Sequence, residues 1–265
     1  MKRKNGIPKE RTDQIVRLLR EKDSLTVEDI CTTLSVSPIT ARRDLRDLEN
    51  QGLLRRTTGG AVPVEPLFYE AFRYDSTFQE QLERNASEKR RIAVEASELV
   101  QNGQTIGSTA GTTTTLVIRG LRHRTDLTLK LVTNGVNIAM EIGQQKHLEV
   151  FLTGGRMRGD WFSLAGGDAI QTMRKYFVDI LFLGVNGIDP EQGLTCFNAD
   201  EASLNAVMVE QSKRRIAVVD HTKLGVVATH GICPIGAVHM LITGVEASSE
   251  MVAPYLALGI EVRQV

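Results

Sequence analysis

A three-residue break, Ser35-Val36-Ser37, lies between two stretches of helical periodicity and constrains the first sixty residues more than any other feature. On one side Thr26 can cap a short helix ending near Leu34. On the other, Ser37 can cap a helix whose first position is Pro38, where a missing N–H costs nothing. Ala41, Leu45 and Leu48 recur at helical spacing in that second helix and form a buried stripe. Ile39, Arg43 and Arg46 point the other way, with Thr40 and Arg42 on the flanks. An earlier helix is predicted over about Glu10 to Glu21, with Ile15, Leu18 and Leu19 inside. Arg55-Arg56-Thr57-Thr58-Gly59-Gly60 reads as a wing.

This pattern is a helix-turn-helix with a wing, spanning residues 1–62, and it implies contact with double-stranded DNA. Arg forks on such a face reach guanine edges or phosphates in the major groove. A basic helix face alone is more often a solvated surface, here with Asp44 and Asp47 as neighbours. The tight turn, the Ser-Pro helix start and the wing decide for DNA. The candidate contacts are Ser37, Ile39, Thr40, Arg42, Arg43 and Arg46, with Arg55, Arg56 and Thr58 on the wing.

The formal net charge of the 265 residues is +0, which hides an asymmetry: 13 Lys/Arg against 9 Asp/Glu fall in residues 1–60, and the remainder is correspondingly acidic. That suits a DNA-binding module followed by a neutral-to-acidic domain. Cys31, Cys196 and Cys233 lack metal-ligand or disulfide spacing and read as buried small hydrophobes. No apolar run follows the basic start or approaches a membrane span. The expectation is a cytoplasmic protein without membrane partner, cofactor or metal; His123, His147, His221, His230 and His239 are scattered.

Residues 63–84, rich in aromatics from Phe68 to Phe78, read as a linker that packs on a domain or between subunits. From 85 to 265 the pattern alternates. Strand-like runs begin at Thr105, Thr128, Leu148, Ile180, Ile216 and Met240. Helices are expected at Thr113–Leu121, Val136–Ile142, Ala169–Lys175, Ala202–Gln211 and Ser249–Ala257. The fold class is α/β: a mostly parallel, Rossmann-like sheet with helices on both faces, which binds ligands beyond the carboxyl ends of its strands.

Those strand ends are polar or glycine-rich. Gly111-Thr112-Thr113-Thr114 opens a helix, an arrangement suited to an anion. Thr133-Asn134, Gly154-Gly155, Gly184-Val185-Asn186-Gly187 and Asp220-His221-Thr222-Lys223 follow other strands, and Lys223 is a movable charge suited to phosphate. Each alone is more often a turn; together on one rim they imply an anion-binding site. Neither a Walker A loop nor a dinucleotide fingerprint is present.

The N-terminal motif Val36-Ser37-Pro38-Ile39-Thr40-Ala41-Arg42-Arg43-Asp44-Leu45, with Leu48-Glu49, Gly52 and Thr58-Gly59-Gly60-Ala61, resembles that of the DeoR family of bacterial sugar-metabolism regulators. Ala41 replaces a larger aliphatic and Thr58 a frequent His. The resemblance continues through Thr109-Ala110-Gly111-Thr112-Thr113-Thr114, Phe182-Leu183-Gly184-Val185-Asn186-Gly187-Ile188, Gly193-Leu194-Thr195 and Asp220-His221-Thr222-Lys223. It implies a sensor domain similar to ribose-5-phosphate isomerase and a phosphorylated sugar effector. It further implies a repressor of a carbohydrate-utilisation operon, acting as a homo-oligomer (dimer or tetramer) on operator DNA.

Thr109 stands where the family usually has Asp. It either tunes the effector toward more anionic sugars or only supports its turn. Glu201, able to reach the cleft, and Asp220 are further tuning candidates. The alternative is a sugar-phosphate isomerase-like enzyme carrying a DNA-binding domain. Isomerisation needs a carboxylate base, and the Gly184–Gly187 turn has none, although Asp189, Asp200 and Glu201 lie further on. A regulator without catalytic residues is therefore expected. Trp161 either covers a ligand or packs between subunits.

Overall fold

The computed structural model describes residues 9–22, 24–50, 54–63, 76–122 and 124–265. The chain divides into two units, Met1–Phe72 and Arg73–Val265, with the boundary inside the segment read as a linker. Phe68, Tyr69, Phe72 and Tyr74 lie outside the described residues.

The first unit contains α1 (Lys9–Lys22), β1 (Leu25–Thr26), α2 (Val27–Leu34), α3 (Pro38–Asn50), β2 (Leu54–Thr57) and β3 (Gly60–Pro63). A reciprocal capping box starts α2: the Asp29 N–H donates to Thr26 Oγ1 at 3.0 Å, and the Thr26 N–H to the Asp29 carboxylate at 2.9 Å. Ser35, left-handed at φ 52°, ends α2 and turns the chain. The Thr40 N–H then donates to Ser37 Oγ at 3.2 Å, opening α3. Ala41, Leu45 and Leu48 pack with Ile15, Leu19, Leu25, Ile30, Leu54 and Ala61 in one core.

The strands run antiparallel in the order β1-β3-β2. Strand β1 comes so close at Gly60 that a Cβ there would lie 1.8 Å from the Leu25 carbonyl oxygen. Only glycine permits that approach. Asp44 departs from the sequence reading. It is buried and paired with Arg11 at 2.6 Å, tying α3 to α1 rather than joining a solvated face.

The second unit starts with α4 (Ser76–Glu83) and α5 (Ala86–Glu98). It continues through β4 (Thr105–Ser108), α6 (Thr112–Leu121), β5 (Leu129–Thr133), α7 (Val136–Ile142), β6 (Leu148–Leu152), β7 (Arg156–Arg158), β8 (Ser163–Ala165), α8 (Gly167–Met173) and β9 (Val178–Leu183). Then come β10 (Gly187–Asp189), β11 (Gly193–Cys196), α9 (Ala199–Glu210), β12 (Ser212–Val218), β13 (His230–Cys233), β14 (Met240–Thr243), α10 (Ser249–Ala257) and β15 (Glu261–Gln264). Seven strands form one sheet in the order β15-β14-β12-β9-β4-β5-β6, every pair parallel.

Both faces of that sheet are covered, as the period-two alternation of its strands requires. Ile180, Phe182, Ile216, Val218, Met240 and Ile242 face a core shared with α5, α6 and α7. Their neighbours Leu181, Leu183, Ala217, Val219 and Leu241 face a second core with α8, α9 and α10. Helix α4, in the segment read as linker, belongs to this unit: Phe78 is fully buried, edge-on to Phe162 with ring centroids 5.3 Å apart. Two antiparallel additions, the pair β7–β8 and the sheet β10-β11-β13, cap the carboxyl end. Strand order reverses between β4 and β9, which makes the crevice beyond their carboxyl ends the topological switch point.

Candidate functional site

A cavity of about 350 Å³ opens at this switch point. Its walls come from the start of α6 (Gly111, Thr112, Thr113), the turn after β9 (Gly184, Asn186) and the turn after β12 (Asp220, Lys223), with Asn134 and Glu201 beside them. The structure thus brings nine of the residues singled out from sequence to one surface. At the α6 start, Thr114 and Thr115 hydroxyls donate back to the Gly111 carbonyl, at 3.1 and 2.6 Å. The first N–H groups of any helix lack intrahelical acceptors, and such a helix start beside a cavity favours an anion.

Six other candidates are not on the lining. Thr114 is fully buried behind the helix start. Thr133 donates to the Ser108 carbonyl at 2.8 Å and accepts the Gly135 N–H at 3.0 Å. Gly154 and Gly155 take φ of 70° and 101° in the exposed turn before β7. Gly187 is buried where a Cβ would lie 2.2 Å from the Val226 carbonyl oxygen. Thr109 is buried too: its Oγ1 accepts the Gly184 N–H at 2.9 Å, linking the ends of β4 and β9. Its hydroxyl serves the turn.

The cavity also holds residues the sequence reading missed, chiefly Lys89, Arg84 and Gln81. Lys89 is 3% exposed. Its ammonium donates to the carbonyls of Gln81 and, at 2.6 Å, Arg84, which close the end of α4, and lies 3.9 Å from Asp220. Burial pushes the Lys89 pKa down, with Asp220 opposing. Asp220 is buried, which would raise its pKa. Bonds from Thr222 and Asn85 and the charges of Lys89 and Lys223 outweigh that and hold it below the ordinary carboxylate value. A signal for Lys89 existed, since it shares the apolar stripe of α5 with Ile92, Ala93 and Ala96. A lysine in that row calls for a partner.

On another part of the wall Glu201 is held by Arg158 at 2.7 Å and by the Ser163 hydroxyl. Trp161, half-buried on a 3-10 turn over Gly159–Trp161, also lines the cavity, as does Cys196, whose thiol is pushed up by burial. Cys196 is buried as expected; Cys31 and Cys233 are half-buried against their cores.

Glu88, Asp220 and His221 converge, with ligand-type atoms within 4.8 Å of one another. Three of their four carboxylate oxygens are already hydrogen-bonded. Glu88 accepts the His221 N–H at 2.7 Å and the Gly244 N–H at 3.1 Å and pairs with the His221 ring, while Asp220 serves Thr222 and Asn85. The geometry is that of a hydrogen-bonded knot joining α5 to the β12 and β14 turns.

In the first unit the outward face of α3 carries Ile39, Arg42, Arg43 and Arg46, all exposed, with Thr40 half-buried and Ser37 exposed at the helix start. Arg55, Arg56 and Thr58 are exposed on the β2–β3 hairpin. The Arg56 N–H donates to the Glu49 carboxylate at 2.8 Å, fastening the hairpin to α3.

A winged helix-turn-helix on the same chain as a parallel α/β sheet domain defines a DNA-binding transcription regulator. Family comparison agrees: residues 11–66 match the DeoR-like helix-turn-helix domain and residues 84–245 the DeoR C terminal sensor domain. The chain belongs to the DeoR family of transcriptional regulators. Relatives include the HTH-type transcriptional regulator GlpR of Haloferax volcanii, 40% identical over 83% of each chain. The HTH-type transcriptional repressor GlcR of Bacillus subtilis is 31% identical over 88% of this chain and 87% of its own. Among solved structures, ribose 5-phosphate isomerase A of Methanocaldococcus jannaschii aligns over 52% of this chain and 54% of its own, at 22% identity and a TM-score of 0.39. No helix among the described residues is long and apolar enough to cross a membrane.

Proposed function

We propose that this regulator represses a carbohydrate-utilisation operon and that a phosphorylated sugar in the switch-point cavity controls its affinity for operator DNA. The charge of the cavity wall carries the reading. Arg84, Lys89, Arg158 and Lys223 stand against Glu201 and Asp220, a surplus of two positive charges. A phosphate monoester brings about −2 at neutral pH. The start of α6 and Lys223 would hold the phosphate, and Asn134, Asn186 and Glu201 line the space left for hydroxyl groups. The GlpR and GlcR relatives support the regulatory role, as does the glycerol-3-phosphate regulon repressor of Escherichia coli, 29% identical over 82% of each chain and named for the regulon of a phosphorylated metabolite.

The same wall speaks against isomerisation. A general base works best with a pKa near the working pH, whereas Asp220 is held low and Glu201 is bound by Arg158 and Ser163. Asp189 caps its own turn, accepting the Glu191 and Gln192 N–H groups, and Asp200 pairs with Arg156. The molecule would act as a homo-oligomer, since one winged helix offers few contacts and symmetric half-sites multiply them.

Operator titration by fluorescence anisotropy at fixed salt, with and without sugars, tests the reading. Phosphorylated sugars should change operator affinity where the free sugars do not, and Lys223→Ala should remove the response while sparing ligand-free DNA binding. Free sugar as potent as its phosphate would remove the basis for the site. Turnover of a pentose or amino-sugar phosphate by the purified protein would favour the enzyme.

A further inference from the structure

Ile39 is 79% exposed, the most exposed of the large hydrophobic side chains among the described residues. A single aliphatic side chain in water is ordinary. Its position is what gives it meaning. It occupies the first turn of α3, the part of a recognition helix that meets base edges.

The hydroxyls beside it are partly engaged within the helix start. Ser37 Oγ and Thr40 Oγ1 bond each other at 2.9 Å, and Ser37 Oγ also takes the Thr40 N–H. Pro38 has no N–H to offer. Ile39 thus gives the first turn an apolar, β-branched surface, stiff about χ1, within a field set by Arg42, Arg43 and Arg46. A partner for this surface must be anionic overall, to suit the arginines, yet present a small apolar group at the depth of a base edge. Duplex DNA has one such group in its major groove, the thymine C5-methyl.

We propose that Ile39 reads a thymine methyl in each operator half-site and so sets part of the sequence preference. The proposal rests on α3 being the helix that enters the groove. The arginines supply phosphate or guanine contacts; Ile39 discriminates T·A from C·G without a hydrogen bond.

The test uses the full-length protein and a duplex selected by it from a random library. Each thymidine is then replaced in turn by deoxyuridine, which removes the methyl and leaves Watson–Crick pairing intact. Wild type should lose roughly fourfold in affinity per half-site at one thymidine position. Ile39→Ala should bind the thymidine duplex correspondingly less tightly and be indifferent to uridine there, with the salt dependence unchanged because no phosphate contact is lost.

No loss on uridine substitution anywhere in the site, measured on the unaltered protein, would overturn the proposal. So would an equal loss in wild type and Ile39→Ala. If Ile39→Ala weakens thymidine and uridine duplexes alike, the side chain acts elsewhere and the proposal also fails. The α3 assignment stands or falls separately. The double variant Arg42→Ala/Arg43→Ala should abolish specific binding, and unchanged affinity would sink the helix assignment whatever the uridine series shows.

Discussion

Thr109 and Lys89 show how one buried side chain can organise a site from opposite directions. Thr109 Oγ1 satisfies the Gly184 N–H and thereby joins the strand ends on either side of the switch point. Thr109→Val keeps shape and loses the acceptor, leaving that N–H unpaired, so it should cost about 1–3 kcal/mol in denaturant unfolding. The loss should be similar with every sugar phosphate tried. A changed ranking of ligands would instead support a tuning role. Lys89 holds the end of α4 through the Gln81 and Arg84 carbonyls while facing Asp220. Lys89→Met removes bonds to a charged donor and should cost about 2 kcal/mol. It should also raise the Asp220 pKa and weaken phosphorylated effectors in calorimetric titration. Intact effector affinity would confine Lys89 to scaffolding.

At the scale of elements, α2 depends on its cap. Thr26→Ala should destabilise the first unit by about 1 kcal/mol, seen as faster hydrogen exchange at the α2 amides of the full chain. Bonds from the Thr26 side chain and backbone and from Lys22 lower the Asp29 pKa from 3.8 to about 2. A depressed carboxylate pKa stabilises above the unfolded value and loses that contribution as pH falls. Protection at α2 should therefore decline between pH 3.8 and about 2, and Asp29→Asn should flatten the decline.

Elements of this kind were legible because their signals are local. Thr26, Ser37, Pro38 and the Ala41–Leu45–Leu48 stripe all report on neighbours within a turn. The central strands were legible through apolar runs. Strand β1 was not, because two residues cannot display alternation and its pairing depends on Gly60, far along the chain. The same holds for β10 and β11, three and four residues long. At the site, turn composition located the rim but could not separate residues that face the cavity from those that build the turn. Thr112 and Thr114 look alike in sequence; only the helix phase puts the latter inside. Arg84 and Gln81 reach the wall from a segment whose role is fixed by tertiary packing of Phe78.

For the molecule as a whole, the strand order has a consequence during synthesis. Strand β4 pairs with β5 on one side and with β9 on the other, and β9 ends about 75 residues later at Leu183. At roughly 5–20 residues per second, the nascent chain spends several seconds with the middle of its future sheet bare along one edge, an invitation to stray pairing. Chains stopped just before Val178 should pellet readily or cling to chaperones, while chains extended past Leu183 should do so less. The most exposed moment in the life of this regulator would then come on the ribosome, well before any operator is met.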